Sequence, residues 1–151
     1  MNDILIKTKK FGDVKVDMEN VFVFPQGIFG FEENRKFALL NFGQKDFYWL
    51  QSLEEEEIAL MVTSPFYFTL GYKERIEKED ALYKLNSENY LVFVGCYYDR
   101  ADKKIFANIL APFLMDKDFK TGRQVILNGN EKDLKVDVVE KIKETAVKCL
   151  F

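Results

Sequence analysis

The stretch VFVFPQGIFGFEENRKFALLNF, residues 21–42, decides the reading of the fold. Val21, Phe22, Val23 and Phe24 are β-branched or aromatic, the residue types that suit a pleated, half-buried surface. Pro25 stops the run, because proline has no N–H to give to a ladder. Gly27 and Gly30 then stand among bulky apolar residues, which predicts positive φ or a close backbone approach at these positions. Residues 32–35 read as a short helical turn. Phe37, Ala38, Leu39, Leu40, Asn41 and Phe42 resume an apolar run that ends at Gly43. The unit is strand, glycine turn, strand.

Outward from it the pattern repeats. On the N-terminal side Ile4, Leu5 and Ile6 make one strand and residues 14–16 another, around a turn at Phe11, Gly12 and Asp13. On the C-terminal side, residues 47–53 and 58–63 flank an acidic connection and predict a hairpin. Pro65 ends that pair. Residues 73–76 read as a further strand and 78–85 as a brief helix, followed by a turn cluster at 86–89. Residues 90–98 have almost no polar relief, which places them centrally with both faces covered. Residues 105–111 return as a strand, Pro112 bends it, 113–115 continue it, and 123–127 form the last clear strand. From Lys132 the period changes. Leu134, Val138, Ile142, Val147 and Leu150 recur with charges between them, as on an amphipathic helix capped by Asn130 or Asp133. The sum is a mainly β protein, a barrel or closed sandwich with helical additions. Residues 1–130 are expected to form the β domain, and 131–151 a helix packed on that same domain.

Composition narrows the function classes. The chain has 151 residues, enough for one core without metal or disulfide support. It has no histidine, which removes the imidazole general base, the Ser-His pair and the histidine metal ligand. No phosphate-binding glycine loop is present. An enzyme is therefore not expected, nor a cofactor or metal. The net charge of −3 comes with scattered Lys and Arg and no basic stripe, so direct nucleic-acid binding is not expected either. Cys96 sits in the apolar run YLVFVGCYY and reads as a buried thiol, and with Cys149 it forms no CxxC motif. The N-terminal MNDILIKTKK has no apolar core, and no apolar stretch approaches the ~20 residues of a membrane span, so a cytoplasmic protein away from membranes is expected.

Five segments in order carry a family resemblance: TKKFGDVKVD (8–17), FPQGIFGFEENRKFALL (24–40), YWLQSLEEEEIALMVTSPFYF (48–68), FANILAPFL (106–114) and TGRQVILN (121–128). Together they resemble the FliW family of flagellar assembly factors over roughly the first 130 residues. The resemblance implies a β pseudo-barrel built from a folded mixed sheet. It implies a non-enzymatic protein that binds flagellin and the translational regulator CsrA in competition, antagonising CsrA so that flagellin mRNA is translated. An alternative is a flagellin-specific export chaperone without a CsrA role. The protein is expected to be a monomer when alone. Residues 134–151 depart from the family, which often ends in a short basic or histidine-containing tail.

Three groups of residues are candidates for partner binding. Ile28, Phe29 and Phe31 beside the rigid turn suit an apolar docking ridge; the alternative is a turn that only positions two strands. Glu54, Glu55, Glu56 and Glu57 suit steering of a basic partner, although charge runs are commonly solvated loops. In the group Asn108, Ile109, Leu110, Pro112 and Phe113, the apolar members read as core by default. Pro112 also suggests an edge or bulge that accepts a partner strand. Trp49 is expected in the core.

Overall fold

A computed structural model describes residues 2–78 and 89–150, with side chains through 144. Strands β3 (Val21–Val23), β4 (Lys36–Leu40), β5 (Phe47–Ser52) and β6 (Ala59–Thr63) form an antiparallel meander, as their alternating sequence requires. Strand β7 (Tyr90–Asp99) pairs next to β6, and β9 (Phe113–Asp116) and β10 (Thr121–Gln124) complete the ring. The ring β7-β6-β5-β4-β3-β10-β9 closes on itself through the β7–β9 pairing. A closed ring with an odd number of strands cannot alternate direction all the way round. One pairing must be parallel, and it falls at β3–β10, with Val23 opposite Thr121. This is a mainly β barrel made from a folded mixed sheet.

Period-two alternation sends side chains to two cores. Phe22, Phe37, Leu50, Val62, Phe93 and Met115 fill the barrel interior. Val21, Ala38 and Leu40 point the other way and are covered by the hairpin β1 (Asp3–Thr8) and β2 (Gly12–Asp17) through Ile6 and Val16. A third cluster covers the outer face of β7 and β9. Val92, Val94 and Leu114 pack there against Tyr72 and Ile76 of α1 (Tyr72–Lys78) and against Val136 and Val138. Val92, Phe93 and Val94 are thus covered on both faces, whereas Tyr97 and Tyr98 further along the strand are exposed.

β7 changes partner along one edge. Its first part pairs with β9 (Phe93 opposite Phe113), and its second part with β8 (Lys104–Ala107, with Cys96 opposite Ala107). Between these points Val94 and Gly95 face a longer excursion, residues 108–112, in the opposing chain. The second half of β7 therefore leaves the barrel wall with β8. β11 (Val136–Asp137) extends that wing, and helix α2 (Val138–Leu150) follows directly.

The structure departs from the sequence reading in several places. Residues 73–76 belong to helix α1, not to a strand. Tyr72 and Ile76, one helical turn apart, are the buried pair, and the Tyr72 hydroxyl donates to the Ile109 carbonyl at 2.6 Å. Residues 32–35 contain a turn closed by the Asn34 N–H on the Phe31 carbonyl, with no helical turn. The regular strand after Thr121 ends at Gln124, before the predicted 127, and β8 ends at Ala107, before the predicted 111, although the Val125 and Leu127 N–H groups still bond the Pro112 and Leu110 carbonyls. The C-terminal helix starts at Val138, capped by Asp137, whose carboxylate accepts the Glu140 N–H at 3.1 Å. Leu134 lies before it in a 3-10 turn and is exposed. The predicted helix at 78–85 falls mostly outside the described residues, as do the turn residues 86–88 and the side chains of Val147 and Leu150. No described helix is long and apolar enough to cross a membrane.

Candidate partner-binding groove

Where β7 leaves the barrel it also leaves β6. The two strands pair at Val62–Gly95 and Thr63–Val94, and there the pairing ends. Continued in register, Met61 would face Cys96 and Leu60 would face Tyr97. Instead the strands splay, and a groove of about 530 Å³ lies between them. Ala59, Leu60 and Met61 line one wall, and Gly95, Cys96, Tyr97 and Tyr98 the other. Ile28, Phe29, Phe31, Phe113 and Gln124 also line it. The edge of β6 that faces the groove has no strand partner along Ala59–Met61 among the described residues.

The glycine turn builds one end of this groove. The Gly27 N–H bonds the Phe24 carbonyl and the Phe31 N–H bonds the Ile28 carbonyl, both at 2.8 Å. Gly27 and Gly30 have φ of 71° and 88°, as the sequence predicted. A Cβ on Gly27 would lie 2.5 Å from the Glu32 carbonyl oxygen, so only glycine lets the chain double back here. Arg35 clamps the turn through the Pro25 and Glu32 carbonyls, at 2.6 and 3.0 Å. The Glu32 carboxylate accepts the Gly30 N–H, and this bond, with that to its own backbone N–H, holds its pKa below the ordinary carboxylate value. The turn presents Phe29, 52% exposed, and Phe31, 36% exposed. Ile28 between them is 2% exposed and belongs to the barrel core, which corrects its assignment to the docking ridge.

Gln124 ties this turn to the excursion after β8. Its side-chain oxygen accepts the Phe29 N–H at 2.9 Å and its amide donates to the Ala111 carbonyl at 3.1 Å. The excursion itself is a turn closed by the Asn108 side chain on the Leu110 N–H. Of the edge or bulge expected from Pro112, the chain here forms a bulge-like excursion and not an edge strand. Ile109, Pro112 and Phe113 are buried, and Asn108, Leu110 and Ala111 are partly accessible. The recessed part comes from inward packing: Ile109 and Phe113 enter two different cores. Asn108 and Phe113 still line the groove, whereas the others do not.

The acidic loop stands apart from the groove walls. The Glu54 carboxylate accepts the Arg35 and Lys36 N–H groups, each at 2.9 Å, and Glu55 accepts the Asn34 side-chain amide at 2.7 Å. Buried Ser52 holds the same junction, bonded to Asn34 and accepting the Glu54 and Glu55 N–H groups. Two of the predicted steering carboxylates are therefore fastening this loop to the start of β4. Glu56 and Glu57 are exposed.

Sequence reasoning missed the other side of the groove. Trp49 is half-buried rather than core, packs edge-on against Phe11 at 5.3 Å, and lines the groove. The Lys10 ammonium lies 4.1 Å from the Trp49 ring centroid and is the one charged group among the described lining residues. Cys96, expected as a buried thiol, is half-buried in the wall, and its desolvation pushes its pKa up to about 12. Tyr97 and Tyr98 are 48% and 55% exposed. Their exposure inside an apolar strand was the available signal, but it depends on where β6 ends its pairing.

Residues 5–138 match the family model described as FliW protein. The chain is 34% identical to the flagellar assembly factor FliW of Treponema denticola over 91% of this chain and 95% of that relative. It is 31% identical to that of Lachnoclostridium phytofermentans over 96% and 97%. A crystal structure of the flagellar assembly factor FliW superposes with a TM-score of 0.70 at 26% identity, covering 89% of this chain and 96% of that one.

Proposed function

The chain belongs to the FliW family, and on that premise we propose that it binds flagellin and CsrA in competition. In this reading it is a cytoplasmic regulator and not an enzyme. Free protein takes CsrA from the flagellin message so that translation proceeds, and flagellin occupies the protein while it awaits export. Competition of this kind is linkage: each partner lowers the apparent affinity for the other by the same factor.

The observation that carries the reading is the groove. Four exposed aromatics, Phe29, Phe31, Tyr97 and Tyr98, line one concave apolar site beside an unpaired strand edge. Aromatic anchors around a recess are the usual energetic centre of a protein interface. The relatives' description as flagellar assembly factors points to the flagellar system. Glu56 and Glu57, exposed and away from the groove, leave a separate acidic surface for a basic partner.

A second reading, a flagellin export chaperone with no CsrA role, is favoured by the lack of any carboxylate among the described residues that line the groove. Calorimetry with flagellin and CsrA from the same genome, singly and in competition, separates the two. The regulator predicts binding to both, with one displacing the other. Binding to flagellin alone leaves the chaperone, and binding to neither refutes both.

A further inference from the structure

We propose that the slot between β6 and β7 takes an extended, apolar segment of flagellin as an added strand on the open edge of β6, with a carboxylate of that segment meeting Lys10. This rests on the flagellin-binding reading and specifies its site and mode.

The backbone makes the first argument. β5 occupies one edge of β6 along its whole length, but among the described residues the other edge is paired only at Val62 and Thr63, by β7. Ala59–Met61 thus offers alternating donors and acceptors at strand spacing along a wall of the recess. Only another extended chain supplies the complementary set. The second argument is the lining. Leu60 and Met61 on one wall, Tyr97 and Tyr98 on the other, and Phe113 between them are matched by apolar side chains on an incoming strand.

Charge chooses the occupant. Lys10 is held over the Trp49 ring, which attracts the cation without neutralising it, and no carboxylate among the described residues pairs with it. Trp49 lies opposite Met61 across the β5–β6 pair, so the cation sits level with the open edge. An occupant with a carboxylate at that level is complementary. The exposed carboxylates that suit a basic partner, Glu56 and Glu57, lie outside the groove, so on the two-partner reading the slot with its cation is left to flagellin.

The test uses the full chain with two substitutions chosen to leave the fold intact. Gly95 has an ordinary backbone conformation, and a Cβ there would meet only the Phe113 ring, at 3.8 Å. Gly95→Val is therefore accommodated in the strand while its methyl groups narrow the slot. Lys10→Glu changes an exposed side chain and reverses the one charge of the lining. Flagellin and CsrA affinities are measured by calorimetry for wild type and both variants, after circular dichroism confirms folding. Amide hydrogen exchange is followed on the wild type with and without flagellin. Each variant is expected to weaken flagellin at least about tenfold and to leave CsrA binding unchanged. Flagellin is expected to slow exchange in residues 59–61. Should Gly95→Val not fold, Lys10→Glu and the exchange data decide. Wild-type flagellin affinity in the folded variants, or unaltered exchange at 59–61, overturns the slot while leaving flagellin binding standing. Loss of CsrA affinity instead of flagellin affinity overturns the choice of occupant. A wild-type protein that binds neither partner overturns the functional reading, and the slot with it.

Discussion

At the residue scale, Cys96 shows how burial sets chemistry. Its thiol ionises only near pH 12, against an ordinary value of 9.0, because the thiolate loses solvation in the groove wall. A raised folded pKa leaves stability untouched below the unfolded thiol value. It then makes stability fall as pH climbs from about 9 toward 12, where the unfolded thiol ionises first. At pH 8 the thiolate fraction lies far below that of an unhindered thiol, so iodoacetamide should label native Cys96 at least about tenfold more slowly. Site-resolved mass spectrometry of the native and urea-unfolded protein checks this. Labelling at the free-thiol rate would mean the wall is open to solvent. A largely inaccessible thiol was legible from its apolar neighbours. So was the special backbone at Gly27 and Gly30, because bulky flanking residues leave glycine as the one conformationally free position. The burial of Ile28 was not legible. Its neighbours Phe29 and Phe31 are as apolar, and only the turn geometry sorts one inward and two outward.

At the element scale, the acidic connection between β5 and β6 has a structural duty that its composition concealed. Glu54 closes two backbone N–H groups at the start of β4, and Ser52 closes two more within the loop. Glu54→Ala should cost about 1 kcal/mol in urea unfolding through the lost backbone bonds. Glu57→Ala should stay within about 0.5 kcal/mol, since that side chain is exposed and makes no bond or ion pair with a described residue. Equal effects would remove the distinction between fastening and solvated carboxylates. Salt-sensitive binding of a basic partner, if it uses this loop, should then follow Glu56 and Glu57. The misreading of α1 has a similar origin. A seven-residue helix spans two turns, too short for its period to stand out from the sequence.

At the scale of the whole molecule, the three cores share strands. β7 contributes Phe93 to the barrel interior and Val92 and Val94 to the outer layer, and β4 is divided between the interior and the hairpin side. Barrel closure through β7–β9 joins residues distant in sequence, so no part of the ring is complete without the rest. Unfolding in urea should therefore be one cooperative transition, with far-ultraviolet circular dichroism and Trp49 fluorescence coincident. A fluorescence change that precedes the loss of strand signal would show that the β1–β2 hairpin opens by itself. Sequence by itself determined the mainly β class, most strand positions, the glycine turn and the family, because period-two alternation, turn chemistry and motif order are local properties of the chain. Only the tertiary structure decided where the groove lies, which aromatics face it and that Lys10 stands alone among its charges. Those depend on where β6 and β7 stop pairing, a choice made by β8 and the excursion at residues 108–112 drawing β7 out of the barrel wall.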